Sequence, residues 1–295
     1  MHATEETHYS LRKAVRLLPV DSCLRMDEGA LVRMVREDRS AGLAPAVVVA
    51  SAGTAGTGTV DRMDRIAAAA RAEGLWMHVD GAYGALAAMT PSARPLFAGM
   101  GEADSVSLDP HKWLYLPVGT GCVLYRDAGA ARAAFGETAE YIRVVGLEQD
   151  EAFAYWDYGP ELSRPFRALP LWMLVKSVGV RVLSEAIEEN MACARYFAEL
   201  VSAREDVEML ASGLSIFCFR YRPRGFDGDL DELNERLMVR LQHGGSSYVS
   251  NAKVGGKFAL RGCVLNYRTR RADMERLLED VVTAGRSVLE ELGAG

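Results

Sequence analysis

The sequence is poor in several things, and each shortage narrows what it can be. Cysteine is scarce: five residues, Cys23, Cys122, Cys193, Cys218 and Cys263, with no CxxC pair among them. That spacing excludes a disulfide scaffold and a cysteine-built zinc site, and no metal is expected. It predicts reduced thiols in the core of a cytoplasmic protein. Long apolar runs are missing: nothing approaches the roughly 20 residues needed to cross a bilayer. The opening MHATEETHYSLRK has no hydrophobic stretch of the signal-peptide kind. A basic excess is missing too. The 34 Lys and Arg against 40 Asp and Glu give a net charge of −6, which removes the electrostatic reason to expect nucleic acid or an anionic membrane as partner. There are no internal repeats and no low-complexity segment.

What is present is a chain of 295 residues, 49% hydrophobic, long enough for one large α/β unit or two domains. Periodic segments begin almost at once, which leads us to expect that a front part of the fold precedes them. Tyr9 to Leu18 reads as a short helix and Asp27 to Ala41 as a longer one. PAVVVASAG (45–53) is a β-branched run of the kind that forms a strand buried on both faces. A Gly/Thr loop follows, then a helix from Val60 to Glu73, then strands in LWMHVDGAYG (75–84), DSVSLDPHK and CVLYRD (122–127). This alternation predicts a doubly wound α/β sheet. In such sheets ligands bind beyond the carboxyl ends of the strands, and Thr54, Asp80 and Lys112 all fall at such ends. Phe135 to Pro160 carries few core signals and reads as a long, lid-like loop. Residues 166–203 read as a long helix broken near Gly179. SIFCFRY and FALRGCVLNY then read as strands among helices at Asp229–Gln242 and Arg271–Leu292. The expected division is 1–168 for a large domain and 169–295 for a small α+β domain.

The chemistry centres on two residues. A lone lysine usually snorkels or pairs with a carboxylate, and an aspartate before glycine is usually a turn residue. Lys112, in SVSLDPHKWLY, and Asp80, in HVDGAYG, stand at the ends of neighbouring strands. Together they meet one demand: pyridoxal 5'-phosphate takes a lysine on its aldehyde and an acid on its ring nitrogen. The rival reading is nucleotide binding by VVVASAGTAGTGTVDRM. Its glycines are spaced GxxGxG rather than GxGxxG, and it leaves Asp80 and Lys112 unexplained.

HVDGAYG followed by ADSVSLDPHKWLYLPVGTGCVLYRD resembles the group II pyridoxal-phosphate-dependent amino-acid decarboxylases, the aromatic-L-amino-acid, glutamate and diaminobutyrate enzymes. The likeness runs from TEETHYSLRKA through SRPFRALPLW to FALRGCVLNYRTRRADMERLL. It implies the fold type I of pyridoxal-phosphate-dependent transferases, like aspartate aminotransferase. The chain would hold part of the large domain, with a mainly parallel sheet, and the small C-terminal domain. By position, the resemblance makes Lys112 the Schiff-base lysine and Asp80 the partner of the ring nitrogen. Ala82 would lie beneath the ring and His8 would stack on its other face. His111 and Thr54 would stand near the cofactor, with Thr57 substituting for a second threonine replaced here by Ala55. Tyr141, in GETAEYIRVVG, would return a proton to the substrate α-carbon. Arg164 and Arg167 match arginines near the site, where a structural role at the domain junction is equally open. The family's glycine- and serine-rich phosphate turn is expected ahead of His8, outside this sequence. The implied reaction is decarboxylation of an L-amino acid, aromatic by weak preference, in a homodimer. Two alternatives stay open: an aminotransferase or oxidative deaminase on the same scaffold, and an inactive piece needing a separate N-terminal segment.

Overall fold

The computed structural model describes residues 1–12, 15–136 and 154–293. Three successive valines start the strand on which the first sheet is built. Residues 48–51 are buried on both faces. The elements run β1 (His2–Thr4), α1 (Tyr9–Arg12), β2 (Arg16–Leu18), α2 (Glu28–Ser40), β3 (Val47–Ser51), α3 (Met63–Ala72), β4 (Trp76–Asp80), β5 (Ser105–Leu108), α4 (Pro110–Trp113), β6 (Cys122–Tyr125) and α5 (Ala128–Phe135). After them come α6 (Ala168–Ser202), β7 (Val207–Gly213), β8 (Ile216–Tyr221), α7 (Leu230–Gly244), β9 (Ser250–Val254), β10 (Lys257–Cys263) and α8 (Arg271–Glu291).

The first sheet has the order β2-β1-β3-β4-β5-β6. Its strands pair in parallel except β6, which runs antiparallel to β5. The stretch between them spends its length on the four-residue α4 and a turn, without the full crossover helix that returns a strand in parallel. Lys112 therefore lies within α4, the first helical turn after β5, rather than on the strand end expected from sequence. Where the periodicity predicts one helix over Tyr9–Leu18, the described helix is Tyr9–Arg12 and Arg16–Leu18 joins the sheet beside β1. Pro19 drives the residue before it into extended backbone.

The second sheet is antiparallel, in the order β7-β8-β10-β9. Helices α7 and α8 pack on it. The long helix α6 links the two halves and breaks at Gly179, whose φ of 79° and ψ of 157° are not helical. The apolar clusters change over inside this helix. Leu183, Ile187 and Met191 belong to the core of the first sheet, Cys193, Ala194 and Phe197 to that of the second. The sequence boundary at 168/169 thus corresponds to the start of α6, well before the change of core.

Hydrogen bonds stitch the halves together. Tyr83 Oη stands 2.8 Å from Ser215 Oγ and accepts the Ser215 N–H at 3.0 Å. Gly56 accepts from Cys218 Sγ at 3.3 Å and from Arg261 Nε at 3.2 Å. Gly58, at φ +74°, faces Gly213 so closely that a Cβ on either would overlap the other's backbone. Glycine is required there for both reasons. Among the described residues no helix is long and apolar enough to cross a membrane. Cys193 and Cys218 are buried, but Cys23 is exposed on a loop and does not belong to the core as expected.

Candidate active site

A cavity of about 370 Å³ opens at the carboxyl ends of β3, β4 and β5. Strand alternation explains its floor. In β4, Met77 and Val79 are buried in the sheet's core face, while Trp76, His78 and Asp80 point the other way and stay half-buried. Asp80 is the last residue of the strand, so its carboxylate emerges at the rim. Gly81 follows, where a Cβ would collide with Ala85 and with the Ser107 carbonyl oxygen. Ala82, next in line, presents one methyl group to the cavity.

Lys112 reaches the same cavity from α4. Its Nζ donates to Asp109 Oδ2 at 2.8 Å, three residues earlier. Both side chains keep a quarter to a third of their exposure, so the pair orients the amine more than it stabilises the fold. Thr54 lines the cavity from the glycine loop after β3. That loop closes on itself, with Thr54 N–H bonded to Thr59 O and Gly58 N–H to Thr54 O. His8 reaches the mouth from the turn between β1 and α1, exposed, with Nδ1 2.8 Å from Ser10 Oγ.

The structure thus brings Asp80, Ala82, Lys112, Thr54 and His8 to one cavity. It does not bring the rest there. His111 does not line the cavity: its Nδ1 is 2.7 Å from Thr120 O and its Nε2 3.8 Å from Asp109 Oδ2. Thr57 does not replace the missing threonine. Its hydroxyl lies 3.0 Å from Thr54 Oγ1 and 2.8 Å from Thr59 Oγ1, behind the lining, and Ala55 occupies the wall. Arg164 and Arg167 bond to Glu161 on the segment leading into α6. Tyr141 lies outside the described residues.

Several lining residues were not singled out from sequence, among them His78, Asp109, Ser107 and Glu6. His78 had a readable signal, since two residues before Asp80 on a strand means the same face. Its Nδ1 is 2.8 Å from Ser105 Oγ, which also accepts from Trp76 Nε1 at 2.9 Å. Burial pulls its pKa below the usual histidine value, against an opposing pull from Asp80. The imidazole beside the carboxylate is therefore neutral at neutral pH. Asp109 had a signal as well, at i,i+3 from the lysine on a short helix.

Behind the cavity the two functional segments are locked to each other. The ring of Tyr83, three residues after Asp80, stacks on Trp113, the neighbour of Lys112, with centroids 4.9 Å apart and planes 12° apart. Trp113 is fully buried and Tyr83 nearly so. Burial raises the Tyr83 pKa well above its ordinary value, which keeps the phenol a neutral hydrogen-bonding group.

An amine paired with Asp109, a carboxylate at a neighbouring strand end and a methyl group in the same lining form a donor set for a flat cationic heterocycle carrying an aldehyde. Residues 1–222 match the family model described as the pyridoxal-dependent decarboxylase conserved domain. The chain belongs to this family. It is 31% identical over 291 residues to an aromatic-L-amino-acid decarboxylase of Bacillus atrophaeus, covering 94% of this chain and 61% of that one. It is 29% identical over 285 residues to a phenylacetaldehyde synthase of Petunia hybrida, covering 90% and 56%. The crystal structure of Oryza sativa TDC with PLP and tryptamine superposes with a TM-score of 0.91 at 29% identity, over 97% of this chain and 62% of that one. The fold is accordingly fold type I of the pyridoxal-phosphate enzymes, in part. The chain spans less than two thirds of the length of these relatives.

The lining fits the heterocycle and aldehyde of pyridoxal phosphate through Asp80, Ala82 and Lys112. For a phosphate the lining holds hydroxyl residues, Ser10, Ser51, Thr54 and Ser107 among them, and among the described lining residues there is no arginine.

Proposed function

We propose that this chain carries the lysine-bearing part of a pyridoxal-phosphate-dependent decarboxylase that releases CO2 from an aromatic L-amino acid, working as a homodimer. One observation carries the reading: Lys112, Asp80 and Ala82 line a single cavity at the strand ends. The names of the relatives supply the substrate class.

When bound, pyridoxal phosphate supplies an electron-withdrawing ring into which the electrons of a bond breaking at the substrate α-carbon can flow. This chain's residues set the conditions. Lys112 would hold the cofactor through its aldehyde. Asp109, 2.8 Å from the lysine amine, aims it into the cavity. Asp80 would keep a proton on the ring nitrogen, and in a half-buried site its charge would be screened less than in water. His78, neutral beside it, adds no competing positive charge. The Tyr83–Trp113 stack fixes the spacing between the Asp80 and Lys112 segments. Tyr141 is proposed, from the resemblance alone, as the acid that returns a proton to the α-carbon.

The test is chemical trapping. Pyridoxal phosphate is added to the chain, the imine is reduced with borohydride, and the modified peptide is identified. A pyridoxyl group on Lys112, absent in Lys112→Ala, is the expected result. A chain that takes up the cofactor and carries no adduct on that peptide overturns the reading. A second outcome, aldehyde in place of amine, is favoured by the likeness to the Petunia synthase. Measuring both products from one aromatic amino acid separates them.

A further inference from the structure

We propose that Asn190, on the helix that joins the two domains, is the positioning residue of the lysine turn. The inference rests on the reading of Lys112 as the cofactor's attachment point. The Asn190 side chain hydrogen-bonds to no lining residue of the cavity, yet its oxygen is spent on that turn and its nitrogen on the small domain. Its Oδ1 accepts from Trp113 Nε1 at 3.1 Å and from Tyr115 Oη at 2.9 Å. Its Nδ2 donates to Asn266 O, in the small domain, at 2.9 Å. The side chain is 0% exposed. A buried amide is costly unless its bonds are made, and these three bonds fix its orientation, since the tryptophan nitrogen can only donate.

The turn needs such an anchor. Helix α4 is four residues long and has no side-chain cap, and so short a helix has almost no stability of its own. Tyr115, three residues beyond Lys112, sits at φ +56°. That left-handed conformation is unfavourable for a tyrosine and persists only where surroundings impose it. Burial raises its hydroxyl pKa to about 12, so it is a neutral donor. One amide therefore clamps the residue directly after Lys112 and the strained residue that ends its turn. Through Asn266 it also refers the position of the lysine to the small domain.

A control is built into the molecule. Asn234 is equally buried, accepting from Tyr221 N and donating to Tyr221 O and Leu230 O, all at 2.8 Å, within the small domain. Asn190→Leu, Tyr115→Phe and Asn234→Leu are compared by peptide-resolved hydrogen exchange of the chain without cofactor, and by titration with pyridoxal phosphate. For Asn190→Leu we expect exchange over residues 111–116 and the cofactor dissociation constant each to rise roughly tenfold, the scale of one buried hydrogen bond. Tyr115→Phe, which keeps the Trp113 bond, gives a smaller change in the same direction. Asn234→Leu lowers the unfolding midpoint and leaves both readouts at the wild-type value. Unchanged exchange in Asn190→Leu overturns the proposal, as does faster exchange with unchanged affinity, or an equal response from Asn234→Leu. Should Asn190→Leu not fold, an unchanged Tyr115→Phe overturns it. A wild-type chain with no imine refutes the Lys112 reading, and the exchange comparison then decides alone whether Asn190 holds the turn.

Discussion

Replacing Gly58 by alanine tests whether the meeting of glycine loop and small domain is as tight as it looks. Two costs combine at this residue. Its φ is +74°, and a Cβ would overlap the Gly213 carbonyl oxygen and stand 2.7 Å from the carbonyl carbon. The left-handed backbone costs an alanine about 1–2 kcal/mol. Forcing an extra carbon into a packed contact costs about 1–3 kcal/mol more. Alanine also restricts the unfolded chain, which returns about 0.4–1 kcal/mol. The expected loss is therefore about 1–5 kcal/mol, centred near 3. Two other glycines separate the contributions. Gly42 has φ +78° and open space around it, so Gly42→Ala carries the backbone cost alone, about 1 kcal/mol net. Gly56 has no positive φ, and a Cβ there meets only the side-chain carboxylate of Glu6 at 3.3 Å, so Gly56→Ala stays within about 0.5 kcal/mol of wild type. Urea unfolding with m-values checked measures all three. Because Gly58 N–H bonds Thr54 O, the same variant should also weaken pyridoxal phosphate binding. A Gly58→Ala loss no greater than that of Gly42→Ala would refute the close-contact reasoning.

Tyr83→Phe keeps the stack on Trp113 but removes the acceptor of the fully buried Ser215 N–H. An unfolding free energy lower by about 1–3 kcal/mol is expected, and a change below a few tenths would show that the interdomain bond contributes nothing. Burial lowers the pKa of both His78 and His2 below 6.5. The unfolded chain therefore takes up those protons first as pH falls, so stability is complete above about pH 6.5 and declines below it. His78→Gln should flatten part of that decline in urea midpoints measured from pH 8 to 5, and an unaltered slope would remove His78 as a cause. Tyr141→Phe should cut amine yield by roughly 100-fold or more, the usual contribution of a positioned acid. An unchanged yield counts against Tyr141 as that acid.

Much of the architecture was legible because its signals are local. The valine run at 47–49 gave β3, the break at Gly179 fell where the residue type placed it, and Asp80 emerged where a strand ended in glycine. Failures came where neighbours outvoted local pattern. Leu17 and Leu18 look helical until Pro19 and the free side of β1 claim them. Thr57 resembles a ligand until the loop turns its hydroxyl toward Thr54 and Thr59. His111 is adjacent to the lysine in sequence, but one helical turn swings it toward Thr120. Asp109 and His78 were within reach through helical and strand spacing. Asn190 was not: 77 residues separate it from the tryptophan it holds, and no spacing rule spans that interval.

The break at Gly179 has a bearing on how this chain can change through evolution. Each residue of a regular helix turns its successor by about 100°. An insertion after Gly179 would rotate Asn190 away from the Lys112 turn and misalign the seam between the domains. The same insertion ahead of Gly179 meets a joint where helical phase is already lost, and can be absorbed there. Length variation is thus cheap on one side of a single glycine and ruinous on the other.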